Sequence, residues 1–233
     1  MSASFSNPAT SRRRFLRMGV TGAAASLVAS SVELTLPTLA QAQSALSPEA
    51  ALTELMDGNK RFTAGRLTHH EQDLVILRQH NIDKQEPFAA VLSCADSRVP
   101  VELLFDQSIG HIFVTRVAGN VVTPEIIASL EYGATVLGTK VILVMGHAGC
   151  GAVKATIQGK PVPGQISALF PHIQPAVDQA GPNLEAATKA NARIQAALLR
   201  EASPVISGLV KEAKLKVVSG YYDLDTGAVT LFD

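Results

Sequence analysis

The sequence predicts an α/β fold: a mostly parallel central sheet flanked by helices and closed by a C-terminal hairpin. Three observations carry this. Short apolar runs occur at 88–94 (FAAVLSC), 111–117 (HIFVTRV) and 140–146 (KVILVMG), as expected of strands covered on both faces. Between the second and third lies TPEIIASLEYGATVLG, a helical stretch that makes a strand–helix–strand crossover. The chain closes with KLKVVSGYYDL and AVTLF about Asp225, Thr226 and Gly227, the pattern of a hairpin.

Taken in order, the first 42 residues stand apart. SRRRFLRMG places paired arginines before a mildly apolar stretch, and Ala40 and Ala42 give an A-x-A cleavage site. The layout is that of a secretory signal, and S-R-R-x-F-L-R is similar to the twin-arginine export signal. The apolar part is rich in Ala, Ser, Thr and Gly, which makes it marginal as a membrane span. Residues 1–42 are therefore expected to be a twin-arginine-type signal peptide that sends the chain to the periplasm or another extracytoplasmic compartment. Residues 43–65 are expected to be a helical arm. Ser47 is its N-cap and Pro48 its first residue; Leu52, Leu55, Met56, Asn59 and Phe62 follow at helical spacing, and Gly65 ends it. Residues 66–233 form the α/β domain, with a further helix over about 71–80. The crossover helix starts at Thr123, taken as its cap, with Pro124 behind it and Gly138 as a stop. Beyond Cys150 the pattern turns helical at 151–158, 164–179, 183–202 and 204–213.

Composition narrows the function. Across 233 residues the formal net charge is zero, and cutting after Ala42 shifts it to about −3. That balance gives no electrostatic reason for a nucleic-acid partner. With no Trp and 5% aromatic residues, there is little to stack against bases or sugars. Two cysteines are too few for a disulfide scaffold.

Those two cysteines carry the chemistry. In open parallel sheets, function gathers at the carboxyl ends of the strands. Cys94 closes the first strand, His147 follows the third, and Cys150 lies three residues further on. Two thiolates and an imidazole are a ligand set that zinc favours, and three protein ligands leave a fourth position open. Asp96, two residues past Cys94, stands in or beside that position. A redox disulfide between Cys94 and Cys150 is the competing reading, but it gives His147 and Asp96 no role.

Cys94-Ala95-Asp96-Ser97-Arg98 and His147-Ala148-Gly149-Cys150 resemble the paired zinc motifs of the β-class carbonic anhydrases. The likeness continues through 113–122, 129–153 and 219–232, in that family's order. The resemblance implies a β-carbonic-anhydrase-like fold and reversible hydration of carbon dioxide to bicarbonate and a proton. It implies one zinc per chain on Cys94, His147 and Cys150, and zinc-hydroxide attack assisted by a dyad of Asp96 and Arg98. In a closed state Asp96 becomes the fourth ligand instead. Gln85, Phe113, Gly119 and Tyr132 match positions lining the substrate pocket; Phe113 and Tyr132 read equally well as core packing, and Gln85 as a surface residue. A homodimer or dimer of dimers is implied, with no stable membrane insertion after signal removal. Some members bind regulatory bicarbonate at a second site containing Trp, which this chain lacks. Hydration of another small linear molecule, such as carbon disulfide, is the alternative activity within the family.

Overall fold

Strands β1 (Ala89–Ser93) and β3 (Val141–His147) are buried at every position, because each lies inside a parallel sheet covered on both faces. The computed structural model describes residues 44–68 and 85–232; the expected signal peptide and the helix at 71–80 lie outside the described residues. Among the described residues no helix is long and apolar enough to cross a membrane. With β2 (Ile112–Arg116), β4 (Lys216–Tyr222) and β5 (Val229–Phe232), the sheet order is β2-β1-β3-β4-β5. All neighbours are parallel except β4 and β5, which form the closing antiparallel hairpin.

Side chains alternate between the two faces of a strand. Val91, Leu143 and Met145 therefore enter one apolar cluster, while Ala90, Leu92, Ile142 and Val144 enter another. The first is covered by helix α1 (Pro48–Thr63) and the short helix α2 (Val101–Leu104). Ser47 caps α1 by accepting the N–H of Ala50 at 3.2 Å, with Pro48 at the first helical position. Asn59 on α1 ties three segments together. Its Nδ2 donates to the carbonyls of Leu104 and Gly227, both at 3.0 Å, and its Oδ1 accepts the N–H of Val229 at 2.8 Å. The opposite cluster is covered by α3 (Pro124–Thr135), and further along the chain by residues Ala196, Leu199 and Ile206. A third cluster, of Cys94, Val121, Cys150, Val153, Ile173 and Ala187, sits at the carboxyl edge of the sheet.

The remaining helices are α4 (Gly151–Gln158), α5 (Phe170–Ala180), α6 (Leu184–Ala202) and α7 (Pro204–Lys211). The helix expected over 164–179 is instead a 3-10 turn at Ile166–Leu169 followed by α5; Pro171, which has no N–H to donate, sits in the first turn of α5. Thr123 occupies the N-cap position of α3 but does not cap it with its side chain. Its hydroxyl donates to the Glu125 carboxylate at 2.8 Å instead, and proline at the start of α3 removes one of the donors a cap would satisfy. A 3-10 turn at Ala118–Asn120 follows β2.

Candidate metal centre

Three apolar strands end at one edge of the sheet, and the side chains just past them differ sharply from the runs before. Ser93 pairs with Met145 in the β1–β3 register, so Cys94, after β1, and His147, the last residue of β3, reach the same edge. Cys150 is the N-cap of α4. Gly149 precedes it with φ 66°, a left-handed turn that glycine adopts without steric cost. All three side chains are buried, and their ligand atoms lie within 4.8 Å of one another. Both cysteines are free thiols, so the redox disulfide is not formed here.

The histidine is oriented for a metal. Its Nδ1 lies 2.9 Å from the Ala148 carbonyl, which can only accept, so the proton sits on Nδ1 and the lone pair on Nε2. That Nε2 is buried with no hydrogen-bond partner. An unsatisfied buried polar atom costs about 1–3 kcal/mol, and a cation at this point would satisfy it. Two cysteine sulfurs and one imidazole nitrogen, with a fourth position left over, are donors that zinc takes readily.

The sulfurs are prepared as well. The neighbouring Cys150 thiol, followed by His147 and the backbone N–H groups of Gly119 and Asp96, lowers the Cys94 pKa to about 4 against the effect of burial. Gly119 N donates to Cys94 Sγ at 3.3 Å. Cys150 is pushed the other way by its bond to Cys94 and by burial, while the N–H groups of Val153 and Ala152 at the start of α4 oppose the rise. The two thiols are thus coupled, and their closeness moves the two pKa values in opposite directions.

Asp96 stands beside this trio and is gripped by Arg98. Arg98 donates from Nε to Oδ1 at 2.9 Å, from Nη2 to Oδ2 at 2.8 Å, and from its backbone N to Oδ1 at 2.9 Å. These bonds, the side-chain ones foremost, hold the carboxyl well below the usual carboxylate range. Asp96 Oδ2 is also 3.9 Å from His147 Nε2. The segment is anchored from beneath by Arg116 at the end of β2, whose Nε donates to the Cys94 carbonyl at 2.9 Å and whose Nη2 donates to the Asp96 carbonyl. Sequence reading missed Arg116. It acts only on main-chain carbonyls, and a lone basic residue at a strand end looks like a solvated one.

Of the other expected site residues, Gly119 reaches the centre through its N–H. Its φ is 75°, which favours glycine, and a Cβ there would lie 2.8 Å from Ile173 Cδ1 and 3.2 Å from Ala152 Cβ, so both neighbours would have to shift. Phe113 and Tyr132 face each other with ring centroids 6.3 Å apart; Phe113 is half-buried, and Tyr132 is 43% exposed. Gln85 is exposed ahead of β1. The described residues thus join Cys94, Asp96, Arg98, Gly119, His147 and Cys150 into one constellation and leave Phe113, Tyr132 and Gln85 outside it, with Phe113 packed against the core.

A buried Cys–His–Cys trio at the carboxyl edge of an α/β sheet is the donor set of a zinc metalloenzyme. A family model described as carbonic anhydrase matches residues 89–229. Carbonic anhydrase 2 of Mycobacterium tuberculosis is 34% identical over 195 residues, covering 80% of this chain and 94% of that protein. The β-carbonic anhydrase of Coccomyxa, solved in complex with acetazolamide, is 26% identical, with a TM-score of 0.62 over 78% of this chain and 86% of that one. A structure from a study of two tetrameric β-carbonic anhydrases of Sordaria macrospora shares the fold at 19% identity, with a TM-score of 0.61 over 78% and 96%. The chain belongs to the carbonic anhydrase family, in its β class.

Proposed function

We propose that the chain hydrates carbon dioxide reversibly to bicarbonate and a proton, with Asp96 and Arg98 acting as a pair beside a zinc ion held by Cys94, His147 and Cys150. One observation carries the reading: the buried, unpartnered His147 Nε2 lies 3.9 Å from a carboxylate oxygen that Arg98 already grips. When bound, zinc supplies a Lewis acid that makes water nucleophilic near neutral pH. The chain's own residues do the rest. Arg98 keeps Asp96 ionised and turned toward the guanidinium, which supports the open state over one in which Asp96 takes the fourth metal position. An anionic acceptor at the margin of the trio takes a hydrogen bond from the attacking water and so aims its lone pair at carbon. Asp96 stays ionised throughout, since its pKa is lowered, and the released proton passes to buffer.

Gln85, Phe113, Gly119 and Tyr132 line the substrate pocket in this reading, with a second copy of the chain completing it as a homodimer or dimer of dimers. The half-open Phe113–Tyr132 pair and the outer position of β2 in the sheet support this. Export through the twin-arginine route belongs to the same proposal and rests on the arginine pair at 12–13. Replacing both with lysine should abolish it, and unchanged export of that variant would reject the route.

The test of the activity is stopped-flow hydration of carbon dioxide at pH 8.5 together with metal analysis. One zinc per chain and a rate well above the uncatalysed reaction are expected. Zinc-loaded protein without hydration would reject the reading.

A further inference from the structure

The turn that offers its N–H to Cys94 is unusual in its backbone. Gly119 (φ 75°) and Asn120 (φ 46°) are both left-handed, and a non-glycine residue in that region is held there only at some cost. Such a turn needs restraint from outside, and helix α6 provides it. Asn191 and Gln195, one helical turn apart and both buried, face the turn together. Asn191 Nδ2 donates to the Gly119 carbonyl at 2.8 Å. Gln195 Oε1 accepts the N–H of Val122 at 2.8 Å.

The orientation of both amides is fixed by their partners. The Val122 N–H can only donate, so Gln195 must present its oxygen there. Gln195 Nε2 then donates to the His172 carbonyl at 2.9 Å and to Asn191 Oδ1 at 3.3 Å. With Asn191 Oδ1 occupied as an acceptor, its Nδ2 is directed at Gly119. From Gly119 one further bond reaches the metal centre, N–H to Cys94 Sγ.

We infer that Asn191 and Gln195 are positioning residues for the zinc thiolate: through the 118–122 turn they hold the Gly119 N–H on Cys94 Sγ. An N–H···S bond withdraws charge from a metal-bound sulfur and fixes its direction, as outer hydrogen bonds do for other metal ligands. Neither side chain touches metal or substrate. The inference rests on the zinc reading above, and it places part of the control of the metal on helix α6.

The test uses the full chain and two readouts besides activity: zinc affinity by competition with a chelator, and the thiolate-to-metal charge-transfer band of the cobalt(II)-substituted protein. Asn191→Leu, similar in shape but without donor or acceptor, should weaken zinc binding about 10-fold or more and shift the band. Leu199→Ala, two turns along α6 in a different apolar cluster, should lower the melting temperature at least as much and leave both readouts at wild-type values. Should Asn191→Leu fail to fold, Asn191→Ser is smaller and still polar but too short to reach Gly119, and it should give the same two changes. Wild-type affinity and an unmoved band in the folded Asn191 variant would overturn the inference, as would equal shifts in Leu199→Ala. Wild-type protein that binds no zinc would overturn this inference and the zinc reading together.

Discussion

The metal trio and the expected substrate residues make a sharp contrast. Cys94, His147 and Cys150 are buried, and one chain supplies their orienting bonds: Gly119 on one sulfur, the start of α4 on the other, Ala148 on the imidazole. Gln85, Phe113 and Tyr132 are exposed or half-exposed, and the bonds that fix the trio do not reach them. The trio and its orienting bonds therefore lie within one chain, whereas Gln85, Phe113 and Tyr132, the mouth of the site in the proposed reading, stand apart from those bonds. Changes at the trio should act on metal and chemistry whatever the state of assembly, and changes at the mouth should act through assembly or substrate access.

The largest expected effect is at Cys150→Ser. A hydroxyl is a poor zinc ligand at neutral pH, so metal content and activity should fall together to background, read by elemental analysis and stopped-flow. Asp96→Asn comes next. It keeps the trio and should keep zinc, but loses the anionic acceptor, with hydration slower by about 10²–10⁴-fold; a full rate would remove Asp96 from the mechanism.

Arg98→Ala should cost about 10–100-fold and cost most at the acid end of the pH profile. The freed carboxylate then competes for the fourth metal position, and the competition eases as hydroxide becomes more abundant. A stability consequence accompanies it. Because Arg98 lowers the Asp96 pKa in the folded state, its stabilisation is fully present above the unfolded value of about 3.9. It is lost as pH falls through the lower folded value. The difference in melting temperature between wild type and Arg98→Ala should therefore be largest near neutrality and vanish in strong acid.

The smallest effect on the zinc centre is expected at the mouth. Tyr132→Ala removes half of an aromatic pair worth about 0.5–1.5 kcal/mol, toward the low end because the ring is 43% exposed. Zinc content should not change. A shift in oligomer mass by light scattering, or a raised KM at constant metal content, would sharpen the contrast between trio and mouth; loss of zinc would break it.

How far the sequence announced this molecule depends on the range over which each residue acts. β1 and β3 were legible because burial on both faces forces an unbroken apolar run. The trio was legible because its members sit at strand ends with short, specific spacing. Arg116, Asn191 and Gln195 were not. Each works on main-chain atoms more than 15 residues away, and nothing near them in sequence distinguishes them from solvated polar residues. Thr123 misled for a related reason: its hydroxyl had a nearer carboxylate to serve than the helix end. The four-residue helix α2 and the 3-10 turn at Ala118–Asn120 are too short to leave a periodic signal. Their shape is imposed by the segments packed around them.

Asn59 sets a condition on the order of assembly. Its side chain binds Gly227 and Val229, 168 and 170 positions downstream, so on the ribosome it waits for a segment made much later. Until the closing hairpin has emerged, α1 has polar atoms to bury and nothing to satisfy them, and the first cluster of the core cannot seal. Contacts so distant along the chain are slow to form. Sealing of that cluster is therefore timed by the arrival of the hairpin, and a chain truncated before it should leave α1 undocked.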